Sequence, residues 1–240
     1  TQTGRLFLDE AKSTLARARA AELTLAELGG MQRGELNVYA SQTIASYWLP
    51  PFLMKFHDQY PGIEIRLTIG NTKTVSDAVR GGAADLGFIE GDIDEPALAK
   101  REVAEDALVI VVSPKHPWAN GRALSPQALV TQTNWILREA GSGTRSEFET
   151  ALRDMGVDPA RLRTALVLPS NEAVITAVEN GIAATAVSQF AVSSLIAQGR
   201  LARANFPIPP RKFMVLRHKE RQQTQSSLAL EKLCLSDGRE

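Results

Sequence analysis

Two hydrophobic periods alternate along most of the chain. Glu35–Ala40 (ELNVYA) and Ile63–Ile69 (IEIRLTI) place apolar residues at every second position, which predicts strands, and Ala84–Ile89 (ADLGFI) reads as a third. Between the first two, Trp48, Leu49, Phe52, Leu53 and Phe56 recur at threes and fours, which predicts a helix over Ser46–Gln59. Pro50 and Pro51 fall near its first turn, where proline is tolerated, and Pro61-Gly62 breaks the chain. Thr74–Arg80 reads as a short helix. This β-α-β-α-β order implies a parallel sheet with helices on both faces.

Leu108–Val112 (LVIVV) is an apolar run expected to be a buried strand and a crossover. A second series follows, with strands over Asn134–Leu137, Thr164–Leu168 and Gly181–Val187. Its helices are expected over Gly143–Asp154, Asn171–Asn180 and Gln189–Gln198. Phe213–Leu216 is a late strand and Gln222–Leu235 a last helix. Two batches of βα units joined by extended segments predict two similar α/β domains, linked by two crossovers, with a cleft between them.

The first segment has a different pattern. From Leu6 to about Leu28 there is no proline or glycine, and Ala, Leu, Glu, Arg and Lys dominate. Leu8, Ala11, Leu15, Ala18, Leu25 and Leu28 form a narrow apolar stripe, as in a coiled-coil seam, and Gly29-Gly30 end it. A helix of about 22 residues is about 33 Å long. A thin stripe flanked by Arg and Glu suits a dimerising linker helix better than burial in a globular core.

The chain has 240 residues, with 27 Lys+Arg against 27 Asp+Glu, so a generally basic surface for coating nucleic acid is excluded. Cys234 is the only cysteine, which excludes an intrachain disulfide and a cysteine metal cluster. No apolar run reaches the roughly 18 residues needed to span a membrane, and TQTGRLFLDEAK lacks the apolar stretch of a signal peptide. These features favour a cytoplasmic address. His57, His116 and His218 are not spaced for metal binding and read as solvated side chains. There is no Gly-x-Ser-x-Gly elbow, and Gly141-Ser142-Gly143-Thr144 has no following lysine, so it is not a phosphate loop. No metal, cofactor or catalytic activity is expected.

The informative polar residues share one placement, just after strands and just before helices. They are Ser41-Gln42-Thr43, Asn71-Thr72, Gly141-Ser142-Gly143-Thr144 and Ser170-Asn171-Glu172. Parallel α/β sheets bind ligands outside the C-terminal ends of their strands. Helix N-termini there offer free N–H groups and the positive end of the helix dipole. Ser, Thr and Asn are also the common N-cap residues, so any one of these loops is accounted for by capping alone. Four of them, two in each batch, favour a site for a small anion held by neutral donors. Glu90 and Asp92 also follow a strand end; beside an anion site they are expected to be polar groups of the hinge or of the facing domain surfaces.

With those residues in view, the chain from about Gly34 to Leu235 resembles the effector-binding domain of LysR-type transcriptional regulators. The resembling pieces are GELNVYASQTIASYWLPPFLMKFHDQYPGIEIRLTIGNT, VSDAVRGGAADLGFIEG, ALVIVVSPKHPWA, REAGSGTRSEFE and PSNEAVITAVENGIAATAVSQF. TGRLFLDEAKSTLARARAAE is similar to the family's linker helix. The resemblance implies a type 2 periplasmic-binding-protein-like fold of two Rossmann-like subdomains. Residues 34–110 and 212–235 would form the first and 111–211 the second, after a linker helix over 1–30. It also implies an effector site at the positions matching Ser41, Gln42, Thr43, Asn71, Thr72, Ser142, Gly143, Thr144 and Ser170 to Glu172. The GNT…LGFIEG and GSGTR pieces look most like a branch linked to sulfur or inorganic anions.

The expected function is that of a regulatory domain. It binds a small anion in the inter-subdomain cleft and controls transcription through dimer or tetramer rearrangement. DNA would be contacted only through a winged helix-turn-helix domain absent from this chain, and no membrane is involved. The main rival is a solute-binding protein of an ABC-type transporter, with the same fold and cleft but no use for a dimerising helix. An enzyme on the same scaffold would need an acid or base among loops that offer mainly hydroxyls and amides.

Overall fold

The structure is a computed structural model that describes residues 33–236 and, ahead of them, only residues 1, 3, 4, 7, 11 and 14. Apart from those positions, the linker helix expected over 1–30 lies outside the described residues. The described chain divides into two compact units. One holds the residues up to Ala104 together with those from Phe213 on, and the other is Glu105–Lys212.

The first unit is built on β1 (Gly34–Ser41), β2 (Ile63–Gly70), β3 (Leu86–Glu90), β4 (Leu98–Asp106) and β10 (Arg211–His218). These form one sheet in the order β2-β1-β3-β10-β4. β1 runs parallel to β2 and β3, as the βαβ pattern requires, with Ser41 opposite Gly70 and Ala40 opposite Phe88. β10 lies antiparallel to β3, so the sheet is mixed rather than parallel. This corrects the expectation of an all-parallel sheet. β10 is reached on the chain's return from the other unit, not through a helical crossover, so it is free of the constraint that makes βαβ strands parallel. β4 escapes sequence reading because LAKREVAED is mostly polar; only Leu98, Val103 and Asp106 of its residues are buried.

Helix α1 (Pro50–Gln59) follows a π-helical turn at Ile44–Trp48. The single helix expected over Ser46–Gln59 is therefore two pieces. Pro50 has no N–H to continue the earlier turn, and it opens α1 at a first-turn position. Trp48 holds this corner, with ring centroids 4.6 Å from Phe52, 5.9 Å from Phe213 and 6.1 Å from Phe88. Helix α2 (Thr72–Gly81) packs Val75 and Val79 onto β3 at Gly87. A Cβ on Gly87 would stand 2.6 Å from Val79 Cγ2 and 2.9 Å from Val75 Cγ1, so the approach of helix to sheet depends on glycine there.

The second unit is built on β5 (Leu108–Val112), β6 (Trp135–Arg138), β7 (Thr164–Leu168), β8 (Ala184–Ser188) and β9 (Ala202–Arg203), in the order β7-β6-β8-β5-β9. β6 is parallel to β7 and β8, while β5, the strand by which the chain enters, is antiparallel to β8. Its helices are α3 (Pro126–Thr131), α4 (Gly143–Asp154), α5 (Asn171–Glu179) and α6 (Gln189–Ala197). α3 was not expected; it is a short helix capped by the Ser125 side chain. The last helix, α7 (Gln225–Ser236), belongs to the first unit and buries Leu230 and Cys234 completely. Trp135 centres the second core, 4.9 Å from the Phe148 ring and 6.1 Å from that of Trp118.

His116 is not solvated but only 4% exposed. Its Nδ1 accepts from the Trp118 amide at 3.1 Å and its Nε2 lies 2.9 Å from Thr133 Oγ1. It caps the short 3-10 turn Pro117–Asn120, a role the SPKHPW sequence does not reveal. Burial holds its pKa below the ordinary value.

Two outcomes are expected. Gly87→Ala lowers unfolding stability by about 1–3 kcal/mol in urea titration, because the valine methyls cannot move aside without opening the α2–β3 contact. His116 is a base whose folded-state pKa lies below its unfolded value near 6.5. Its contribution is complete above that value and is lost as pH falls through the folded pKa. The melting temperature of the wild type falls more steeply between about pH 7 and 5 than that of His116→Asn, which keeps a capping acceptor but cannot be protonated.

Candidate functional site

In the first unit, β1 and β2 end side by side, so the segments that follow them are neighbours. Ser41 closes β1 and is 1% exposed, and Thr43 is equally buried, while Gln42 is half-buried. Asn71 caps α2: its Oδ1 accepts from the Thr74 amide at 3.0 Å, and Thr74 Oγ1 accepts from the Asn71 amide at 2.9 Å. This capping box fixes the loop and leaves the first-turn amides of α2 at the strand ends. Thr72 is buried, its hydroxyl 3.4 Å from both the backbone oxygen and Oε2 of the buried Glu90. Asp92 is on the surface, paired with Lys100 Nζ, and that contact holds its carboxyl below the usual range.

The Ser41 hydroxyl is the unusual feature of this group. Its oxygen is fully buried and meets no hydrogen-bond partner among the described residues. A hydroxyl left unpaired in the interior costs about 1–3 kcal/mol, so buried hydroxyls without partners are rare.

In the second unit, β6 and β7 also end together, with Arg138 opposite Leu168. Gly141 adopts φ +88°, a conformation that a side chain disfavours, and turns the chain into α4. Ser142 caps that helix, its hydroxyl accepting from the Arg145 amide at 3.4 Å; Gly143 and Thr144 form the buried first turn. Ser170 caps α5 through the Ala173 amide at 3.1 Å. Asn171 is buried at the first position of α5, whereas Glu172 beside it is exposed.

Two buried arginines that sequence reasoning did not select organise these loops. The Arg138 side chain is 4% exposed. It holds Glu139 through Nε at 2.8 Å and Nη2 at 3.1 Å, and reaches Asn171 Oδ1 with Nη1 at 2.5 Å. It thereby ties the loop after β6 to the start of α5. Arg211 is 1% exposed and forms an ion pair with the fully buried Asp106 at 2.8 Å. It donates to Thr144 Oγ1 from Nη1 at 2.9 Å, and Ser188 Oγ donates to Asp106 Oδ1 at 2.8 Å. Arg145 is paired with Glu149 at 2.7 Å and donates to the Arg138 carbonyl. Arg138 stands in the WILRE run and Arg211 in the PPRK segment. Neither is part of a Ser/Thr/Asn-rich loop, so the composition that singles out the strand-end loops does not mark them. Each of these guanidinium groups has an acidic partner, Glu139, Glu149 and Asp106 respectively for Arg138, Arg145 and Arg211. Among the described residues no group of His, Cys, Asp and Glu is arranged to hold a metal ion.

Residues 29–238 match the LysR substrate binding domain family. The chain belongs to that family. It is 34% identical over 189 residues to the HTH-type transcriptional regulator CysL of Bacillus subtilis, covering 79% of this chain and 62% of that protein. It is 31% identical over 206 residues to the uncharacterized HTH-type transcriptional regulator YeiE of Escherichia coli, covering 86% of this chain and 67% of that one. The chain thus spans about two thirds or less of these regulators. The regulatory domain of Synechocystis CcmR, solved with 2-PG, superposes with a TM-score of 0.77 at 24% identity, covering 86% of this chain and 98% of that one. The cofactor-binding domain of the Cbl transcriptional regulator gives a TM-score of 0.75 at 18% identity, covering 85% and 89%. These likenesses show that the LysR-type domain has the two-part, periplasmic-binding-protein-like α/β fold. The relatives are transcriptional regulators, which does not favour the transporter reading. No described helix is long and apolar enough to cross a membrane.

Arg138→Ala removes the link between the two loops and leaves Glu139 and Asn171 without it. The expected loss is about 1.5–3 kcal/mol of unfolding stability, read by urea titration, with a smaller loss for Glu139→Gln. Equal stability of Arg138→Ala and wild type would show that the link holds nothing.

Proposed function

We propose that this domain senses a small oxyanion, of which an inorganic sulfur anion is the first candidate, and that the loops at the strand ends take it up. The assigned residues are Ser41, Gln42, Thr43, Asn71 and Thr72 in one unit, and Gly141–Thr144 with Ser170, Asn171 and Glu172 in the other. The observation that carries this reading is the buried Ser41 hydroxyl, whose missing hydrogen bond a ligand acceptor can supply. The pairing of Arg138, Arg145 and Arg211 with carboxylates points the same way, toward a ligand held by neutral donors and helix dipoles. Related folds solved with 2-PG, with shikimate and with sulfate fit a site for small ligands.

In the whole regulator, occupancy of this site alters the arrangement of a homodimer or homotetramer. DNA is contacted by a separate domain of the regulator; full-length CbnR, a relative in fold, has been solved with its target DNA. A cytoplasmic address follows from that role.

The test is a thermal-shift screen with sulfate, sulfite, thiosulfate, phosphate, acetate and an O-acetylated amino acid. A ligand at about 100 times its Kd adds about 2.7 kcal/mol of stability, a visible rise in melting temperature. Ser41→Ala and Thr144→Ala each weaken the hit by about 1–3 kcal/mol in binding. A hit whose affinity survives both substitutions, or no hit from any oxyanion, would count against the reading.

A further inference from the structure

The second unit carries a cavity away from the strand-end loops. Its volume is about 290 Å³, and it is lined by Gly121, Arg203, Ala204, Asn205, Phe206 and Pro207. These residues come from β9 and the segment after it, and from the end of the 3-10 turn Pro117–Asn120. β9 is an edge strand, and β8 and β5 separate it from β6 and β7, which lead into the loops assigned to the effector. Hydrogen bonds fix the walls. The Ala204 amide donates to the Ile110 carbonyl at 2.9 Å, the Leu124 amide to the Asn205 carbonyl at 3.0 Å, and Asn205 Nδ2 to the Gly121 carbonyl at 2.9 Å. A Cβ on Gly121 would meet no other atom within 4 Å, so open space lies beside that wall.

Ala204 and Phe206 are buried members of the second core, so the inner wall is apolar. Two polar groups at the cavity are uncommitted. Arg203 is exposed, and unlike Arg138, Arg145 and Arg211 its guanidinium has no carboxylate partner among the described residues. The Asn205 amide has one possible orientation. A backbone carbonyl only accepts, so the group facing Gly121 is the NH2, and Oδ1 is left as an acceptor. A ligand that fills the cavity strips water from both groups, so it must bring an acceptor to one and a donor to the other. The guanidinium fork is matched best by a carboxylate. We propose that this cavity is a second ligand site, for a small carboxylic acid bearing a hydroxyl or ammonium donor beside the carboxylate. The carboxylate pairs with Arg203, the donor bonds to Asn205 Oδ1, and the hydrocarbon part lies against Ala204, Phe206 and Pro207. The site does not depend on the assignment of the strand-end loops, and it gives this unit a second signal to read.

The experiment titrates the isotope-labelled chain with propionate, L-lactate and L-alanine and follows backbone amide shifts by NMR. The three probes share one carbon skeleton and differ only in the hydrogen, hydroxyl or ammonium beside the carboxylate. Lactate or alanine is expected to shift the amides of Gly121, Ala204, Asn205 and Phe206 saturably. It is expected to bind about fivefold or more tighter than propionate, which leaves Asn205 Oδ1 without a donor. Arg203→Ala is expected to weaken that binding about tenfold or more, because the lost bond is charge-assisted. It is expected to melt as the wild type does, because the side chain is exposed and unpaired. Arg203→Gln, which keeps much of the length without the charge, decides the matter if Arg203→Ala melts early. Four outcomes overturn the proposal: shifts confined to residues 41–43 or 141–144, propionate binding as tightly as lactate and alanine, unchanged affinity in the folded Arg203 variant, or no saturable shift with any probe. None of them touches the sulfate response of the strand-end loops, so the two assignments fail separately.

Discussion

Asp106 and Arg211 bring two full charges into the interior of the second unit, one at the end of β4 and the other at the start of β10. Taking both from water is costly, and their mutual attraction offsets that cost only when the remaining hydrogen-bonding positions are also satisfied. Ser188 meets the second Asp106 oxygen and Thr144 one of the Arg211 donors, from two different helices, each at an N-terminus. The pair therefore constrains the starts of α4 and α6 together with the two strands it sits on. Removing either charge would leave the other buried alone, so the position of the Thr144 loop is tied to an interaction that cannot be loosened by small steps.

Arg138 repeats this logic in the same unit, joining Glu139 to Asn171 across the ends of β6 and β7. In both cases a guanidinium is used as scaffolding, with its charge balanced by a neighbouring carboxylate. The consequence is chemical. Helix-capping oxygens of Ser142, Ser170 and Asn71 accept from their own helices, and Thr144 accepts from Arg211. Those serine and threonine hydroxyls each keep a hydrogen to donate, and the first turns of the helices carry amide donors. In the other unit the buried Ser41 hydroxyl has no hydrogen-bond partner among the described residues.

The repeating β-α pattern was legible because its signals are local. Alternation in ELNVYA and IEIRLTI predicted β1 and β2, and the threes-and-fours period of Trp48 to Phe56 predicted α1. The loops rich in Ser, Thr, Asn and Gly do stand at strand ends ahead of helices, and the family resemblance is confirmed by the match over residues 29–238. The failures share a cause. β4 carries a polar sequence because it is an edge strand of its sheet, and His116 looks like a loop residue although Thr133 and the Trp118 amide enclose it. Arg138 and Arg211 look like surface charges because their partners are either adjacent and unremarkable or, for Asp106, 105 residues away.

By itself the sequence determined the alternation of strands and helices, the caps that open the helices, and the donor-rich chemistry of the loops between them. Each of these depends on residues within a few positions of one another, where propensity, period and capping act. Only the tertiary structure decided the direction of β5 and β10, the burial of His116 and the pairing of Asp106 with Arg211. Those depend on which distant segments meet in a low-dielectric interior. There, an unpaired charge or hydroxyl is expensive enough to dictate its neighbours, whereas nothing in a linear pattern records who those neighbours are.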